Sequence, residues 1–292
     1  MPLGERVLQV DIDLPSGLVS LNQNLELHVV IHKDALAIQN TCDIEVFNLP
    51  QAQRESLLTR FTAWNKRNLE TGQPGYEASY VNVTVTAGYN NGAKNQTTVI
   101  FTGQIVQTEP IGAPPMLGVA IKCYSQQLNK LAWVTGFAPP TATFKQYVEW
   151  AGEQMGVTRI VCETSYNDQV ISSPFARTHI VGNLIVDIQD AYKPNVAAYI
   201  DNNVLYVKDI NAVISTSQQV TVDEFIGTPM WTEWGVCFQA LFDPQIQLAG
   251  AATLNSKMNP SLNKTFVITS LDYDLASRAH NFYVKATASP PA

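Results

Sequence analysis

Apolar and polar residues alternate one for one over long parts of this 292-residue chain. That period fits a half-buried β-strand and rules out an amphipathic helix over the same residues. In VLQVDIDL, Leu8, Val10, Ile12 and Leu14 alternate with Gln9, Asp11 and Asp13, and LELHVVI repeats the pattern with Leu25, Leu27, Val29 and Ile31. Further strand-like runs stand at 42–47, 79–86, 98–107 and 117–124. They are separated by the turn signals Pro15-Ser16-Gly17, Asn90-Asn91-Gly92 and Gly112-Ala113-Pro114. Short strands punctuated in this way favour a barrel or a sandwich. One helix interrupts the series. Asn48 can cap it, Pro50 suits its first turn, and Leu57, Leu58, Phe61 and Trp64 share a face, so it is expected to plug one end of a barrel. Residues 68–78 read as a loop.

Between 126 and 215 the period becomes helical. Thr143 and Gln146 fit a capping box, and Phe144, Tyr147, Val148, Ala151 and Met155 make an apolar stripe that ends before Gly156. A second helix is expected at 183–192, stopped by Pro194, followed by a hairpin turning at Asp201-Asn202-Asn203. From 216 the period of two returns in short runs at 236–240, 246–254, 264–274 and 281–287. The expected division is therefore a first β-domain with one helix over 1–125, a small α+β domain over 126–215 and a second β-domain over 216–292. The overall class is mainly β, α+β when the middle is counted.

Composition limits what such a chain does. Charged residues are only 15%, well under the usual quarter, which suits large protein contacts. A net charge of -7 with 18 Lys and Arg, nowhere clustered, argues against specific nucleic-acid binding. The four cysteines, Cys42, Cys123, Cys162 and Cys237, form no CxxC pair and read as free buried thiols. The first residues contain no apolar signal-like run, and no stretch approaches the roughly 20 apolar residues that span a bilayer. Synthesis and folding in a cytoplasm are expected.

No catalytic constellation stands out, so catalytic, cofactor and metal residues are expected to be absent. Phosphate-loop, dinucleotide, zinc-protease and nucleophile-elbow motifs do not occur. His28 and His32 lie four apart without a third ligand, and His179 and His280 stand alone. The carboxylate pairs Asp11/Asp13 and Asp272/Asp274 read as outward faces of strands, not as a glycosidase pair across a cleft. Met230, Trp231 and Trp234 in GTPMWTEWG are the candidate interface residues, because Trp is enriched where subunits meet. Burial in the chain's own core is the equal alternative.

Five stretches, in order, carry a family likeness: DIEVFNLPQAQRESL (43–57), VNVTVTAGY (81–89), TTVIFTGQIVQTEP (97–110), EFIGTPMWTEWGVCFQALFDPQIQLAGAATLNS (224–256) and TFVITSLDYDLASRAHNFYVKATA (265–288). The series resembles the central hub proteins of contractile phage-tail baseplates. An insertion at 62–78 departs from the pattern, and the middle of the chain matches little of it. The resemblance implies two tube-type β-barrels that mimic one another, a small α+β domain between them, and no enzymatic activity. It implies a homotrimeric ring joining a six-fold tail tube to a three-fold spike and letting the genome pass. Expected partners are further copies of the chain, a spike protein, the tail tube or its initiator, and neighbouring baseplate proteins, all in the virion. A tail-tube-like subunit and a tail-associated carbohydrate-binding or glycan-hydrolase protein are the alternatives. A faint internal echo links TVIFTGQIVQ to TFVITSLDYD, and VTVTAGY to FQALFDPQIQLAG.

Overall fold

The computed structural model describes residues 4–14, 16–35, 39–70, 81–90, 95–125, 132–136, 141–172, 180–210, 212 and 219–291. The first stretch forms β1 (Glu5–Leu14), β2 (Gly17–Leu21), β3 (Glu26–Asp34), β4 (Thr41–Phe47), helices α1 (Gln51–Arg60) and α2 (Ala63–Glu70), then β5 (Asn82–Asn90), β6 (Asn95–Ala113) and β7 (Met116–Tyr124). Alternation translates directly into burial: Leu8, Val10 and Ile12 on β1 are fully buried, while Gln9 and Asp11 are not.

The first helix departs from expectation. Asn48 takes a left-handed backbone (φ 62) instead of capping, and α1 begins after Pro50 with no side-chain cap. Leu57 and Phe61 are buried, and the Phe61 carbonyl accepts from Thr108 N on β6. Trp64 is not on that helix. It sits on α2 and is 65% exposed. Part of the expected loop is thus helical, while 71–78, Asn91-Gly92 and His179 lie outside the described residues.

The middle holds β8 (Thr141–Thr143), α3 (Phe144–Met155), β9 (Arg159–Glu163), β10 (Val170–Ser172), α4 (Val181–Ala191), β11 (Val196–Asp201) and β12 (Val204–Asp209). Thr143 and Gln146 close the capping box on α3, and Gly156 ends it in the left-handed conformation. The β11–β12 turn has positive φ at both Asn202 (47°) and Asn203 (64°), the type I′ geometry that Asn tolerates. Strands β11-β12-β9 form a small sheet, and helices α3 and α4 pack with it around Phe144, Tyr147, Leu184, Ile188 and Leu205.

The last stretch contributes β13 (Gln219–Val222), β14 (Met230–Thr232), β15 (Gly235–Leu241), β16 (Ala251–Leu254), β17 (Thr265–Ala276) and β18 (Phe282–Ser289). These strands and β1–β7 form one sheet in the order β14-β15-β18-β17-β3-β4-β7-β6-β5-β1-β2, with β16 on β17 and β13 on β16. The two β-rich stretches are joined by the antiparallel pairing of β3 with β17, and one apolar cluster runs through both. The chain is mainly β, with its helices in the middle and after β4.

Candidate assembly interface

Residues 224–235 build a hairpin that packs Phe225 against Phe238 but leaves Ile226, Met230, Trp231 and Trp234 largely in solvent. Ile226 N pairs with Gln239 O, Gly227 turns with φ +80, and β14 then pairs antiparallel with β15. Met230 is 61% exposed, Trp231 49% and Trp234 79%. Trp231 is nevertheless held in place. Its indole Nε1 donates to Ser261 Oγ at 3.3 Å, and its ring meets Phe266 edge-on at 5.9 Å. Ser261 donates in turn to Asn259 Oδ1, and Asn259 reaches the Pro229 carbonyl. A half-exposed Trp held in place on an edge strand combines a residue type enriched at interface hot spots with an unpaired strand edge. All three candidate residues therefore lie together on one edge of the sheet, outside the chain's core.

A second apolar exposure was not read from the sequence. At the β6–β7 turn Met116 is 50% and Leu117 37% exposed, and Pro110, farther back on β6 opposite Val119, is exposed too. The adjoining run GAPPML was legible, but only as a turn.

The histidines and the Asp272/Asp274 pair are brought together by the β3–β17 ladder. His32 Nδ1 lies 2.6 Å from Asp272 Oδ1, and His28 Nε2 lies 2.9 Å from Asp274 Oδ1. Asp274 also accepts from Tyr283 OH at 2.7 Å and from Asn281 Nδ2. Burial alone would push this carboxyl up, but the bonds from Tyr283, His28 and Asn281 outweigh it and hold it below its ordinary value. The same bond pushes the Tyr283 phenol up. Strand spacing explained each pair as a solvated face; register across the ladder makes them partners. The arrangement ties the two β-rich stretches together on their outer face.

Cys42 and Cys123 are buried opposite one another on β4 and β7, whereas Cys162 and Cys237 are half-buried, so the expected burial holds for two of the four. Burial pushes both of the buried thiols up. Among the described residues no group of three or more His, Cys, Asp or Glu is placed to hold a metal ion. Among them, too, no helix is long and apolar enough to cross a membrane. An open groove of about 600 Å³ between the end of β13 and the segment after β15 carries Asp223, Glu224 and Asp243.

By fold, the chain is similar to the 43 kDa tail protein of prophage MuSo2 from Shewanella oneidensis, at 8% identity, TM-score 0.59, and coverage of 97% of this chain and 98% of that one. A tail protein from Neisseria meningitidis MC58 is similar at 9% identity and TM-score 0.55, with 96% of each chain covered. The E. coli c3393 protein is also similar, at 11% identity and TM-score 0.52, covering 91% of this chain and 74% of that one. It is a type VI secretion component described as structurally similar to the T4 bacteriophage tail proteins gp27 and gp5. No curated protein matches by sequence. The profile of one family, baseplate hub gp41, matches residues 7–288, nearly the whole length that folds into the sheet and its middle insertion. The chain belongs to the baseplate hub gp41 family.

Proposed function

We propose that this chain is a non-enzymatic structural subunit of a contractile-tail baseplate, three copies of which form a ring that joins the six-fold tail tube to a three-fold spike. The family match across residues 7–288 carries the reading. Two β-rich stretches in one chain, each taken as a tube-type barrel, offer six similar faces to the tube from three copies. The middle residues, 126–215, form the lateral α+β module of this arrangement. Partners are the spike, the tube or its initiator, and neighbouring baseplate proteins, with assembly in the host cytoplasm before incorporation into the virion.

A ring of this kind passes the genome without holding it. The net charge of -7 and the carboxylates Asp223, Glu224 and Asp243 favour repulsion of phosphate over binding. Purified protein is expected to show no duplex-DNA retardation at physiological salt and no turnover of peptidoglycan or nucleotides. Hydrolysis lost on Asp272→Asn would replace the structural reading with a glycan-hydrolase one. Cryo-electron microscopy of the assembled baseplate tests the ring itself. Three copies around the axis are expected, and six would make the chain a tube-like subunit.

A further inference from the structure

Strand β6 changes partners half-way along. Residues 95–104 pair with β5 and residues 104–113 with β7, so over 95–103 no strand pairs with the other edge of β6 among the described residues. The Val99 carbonyl faces that edge, because it accepts from Asn202 Nδ2 at 3.1 Å. Backbone groups alternate in direction along an antiparallel strand, and the register with β5 is unbroken from Asn95 to Val99. The N–H and C=O of Thr97 therefore face the same way as those of Val99.

Sheet edges are commonly closed to further strands by a charge, a proline or a bulge. The later half of β6 carries Glu109 and Pro110, but Asn95-Gln96-Thr97-Thr98-Val99 contains neither, and the register shift of this ladder lies beyond it, at Ile100. Gln96 and Thr97 are exposed, and Val99 is 42% exposed. This edge is open to pairing.

The open groove of about 600 Å³ runs beside it, with Gln96 and Thr97 on one side and the end of β13 and residues 240–246 on the other. Its buried lining is apolar, supplied by Val222, Phe242 and Ile246. Its exposed lining is acidic. Asp223 and Glu224 have no hydrogen-bond or ion-pair partner among the described residues, while Asp243 accepts only from Gln245 N. Among the described residues no Lys, Arg or His lines the groove. Arg6, opposite Tyr89 in the β1–β5 ladder, is spent on the Ala279 carbonyl and lies over the Phe282 ring. The groove shares Phe242, Pro244 and Ile246 with a cavity of about 130 Å³, on whose wall Asn202 Oδ1 is buried with no partner among the described residues. A buried acceptor of this kind costs stability until a donor reaches it.

An open backbone edge selects a peptide in extended form, and carboxylates without counter-ions select cations. We propose that β6 takes an added strand along Asn95–Val99 from another protein, an extended segment whose Lys or Arg side chains meet Asp223, Glu224 and Asp243. Thr97 supplies the central backbone pair, and Asn202 marks the end where the added strand stops. At about 3.4 Å per residue the paired length is roughly 17 Å. A second copy of this chain is the poorer occupant, because its own net charge of -7 opposes an acidic groove. The inference goes beyond the ring reading and does not depend on it, since it concerns what a single chain binds.

Fluorescence anisotropy of the full chain with labelled hexapeptides tests it. One peptide alternates Val with Lys, and a second alternates Val with Glu. A third repeats the first with every backbone nitrogen methylated, which removes its donors and keeps its charge. Only the first should bind. Asp223→Asn with Glu224→Gln should weaken that binding about ten-fold, whereas Asp13→Asn with Glu109→Gln, an equal loss of charge elsewhere, should leave it unchanged. Thr97→Pro, which removes the outward N–H, should abolish it, and the methylated peptide makes the same test if that variant melts early. Equal binding of the methylated peptide, or equal weakening by the remote pair, would reduce the attraction to general electrostatics and overturn the site. No binding of the Val-Lys peptide at millimolar concentration would overturn it as well. Self-association of the chain that the Val-Lys peptide dissolves would give the groove to a second copy instead. None of these results bears on the number of copies in the baseplate, so the two readings fail separately.

Discussion

Lys33 Nζ donates to Asp201 Oδ1 at 2.5 Å, linking β3 of the large sheet to the tip of the β11–β12 hairpin. Lys33 is only 3% exposed, and Asn40 beside it donates to Ile200 O at 3.1 Å and to Asp201 Oδ1 at 3.4 Å. From the other side Asn202 Nδ2 donates to Val99 O. These polar groups fix how the middle module sits on the sheet. Removing one partner of a buried pair strands the other. Asp201→Asn should therefore cost about 3 kcal/mol or more, read as a drop in the urea midpoint. Lys33→Met, which leaves Asp201 18% exposed and still within reach of Asn40, should cost less. Equal, negligible effects would show that the ion pair does not hold the module.

The Asp274 carboxyl is held below its ordinary value in the folded chain. A depressed folded pKa contributes stability that is fully present above the unfolded value, about 3.9, and is lost as pH falls through the folded one. Melting temperature should thus fall more steeply below about pH 4 in the wild type than in Asp274→Asn. Parallel acid profiles for the two proteins would contradict the role given to Tyr283, His28 and Asn281.

Two glycines in the hub-like stretches are sites of close approach. A Cβ on Gly88 would lie 2.0 Å from Gln96 O, and one on Gly103 would lie 2.5 Å from Tyr124 O. Both obstacles are backbone, which cannot rotate away. Gly88→Ala and Gly103→Ala should each destabilise by about 1–3 kcal/mol. If thermal melts of either variant match the wild type, the β5–β6 and β6–β7 ladders are looser than described.

Thr143 caps α3 through Gln146 N while Gln146 Oε1 accepts from Thr143 N. Thr143→Ala should cost about 1 kcal/mol. Hydrogen exchange should rise in α3 and its module before it rises in β3 or β17. Uniform change across the chain would instead indicate that the module and the sheet unfold as one unit.

Local rules reached a good part of this protein. Alternation in VLQVDIDL and LDYDL, the Thr143/Gln146 box and the Asn202-Asn203 turn each depend on a few neighbouring residues, and all three are realised. Helix α1 was placed near its true position, but the left-handed Asn48 broke the expected cap and the chain turned before Trp64. Exposure of Met230, Trp231 and Trp234 was beyond the reach of sequence, since an apolar loop reads alike in a core and on an edge. So were the His–Asp pairs and the Lys33–Asp201 contact. Each needs β3 to find a strand or turn at least 168 residues away. Pairing at that range is chosen by the register and burial of the whole sheet, and a shift of one residue would send every side chain of a strand to the opposite face. Strand period and turn chemistry were written locally; which strands meet was decided only when the sheet assembled.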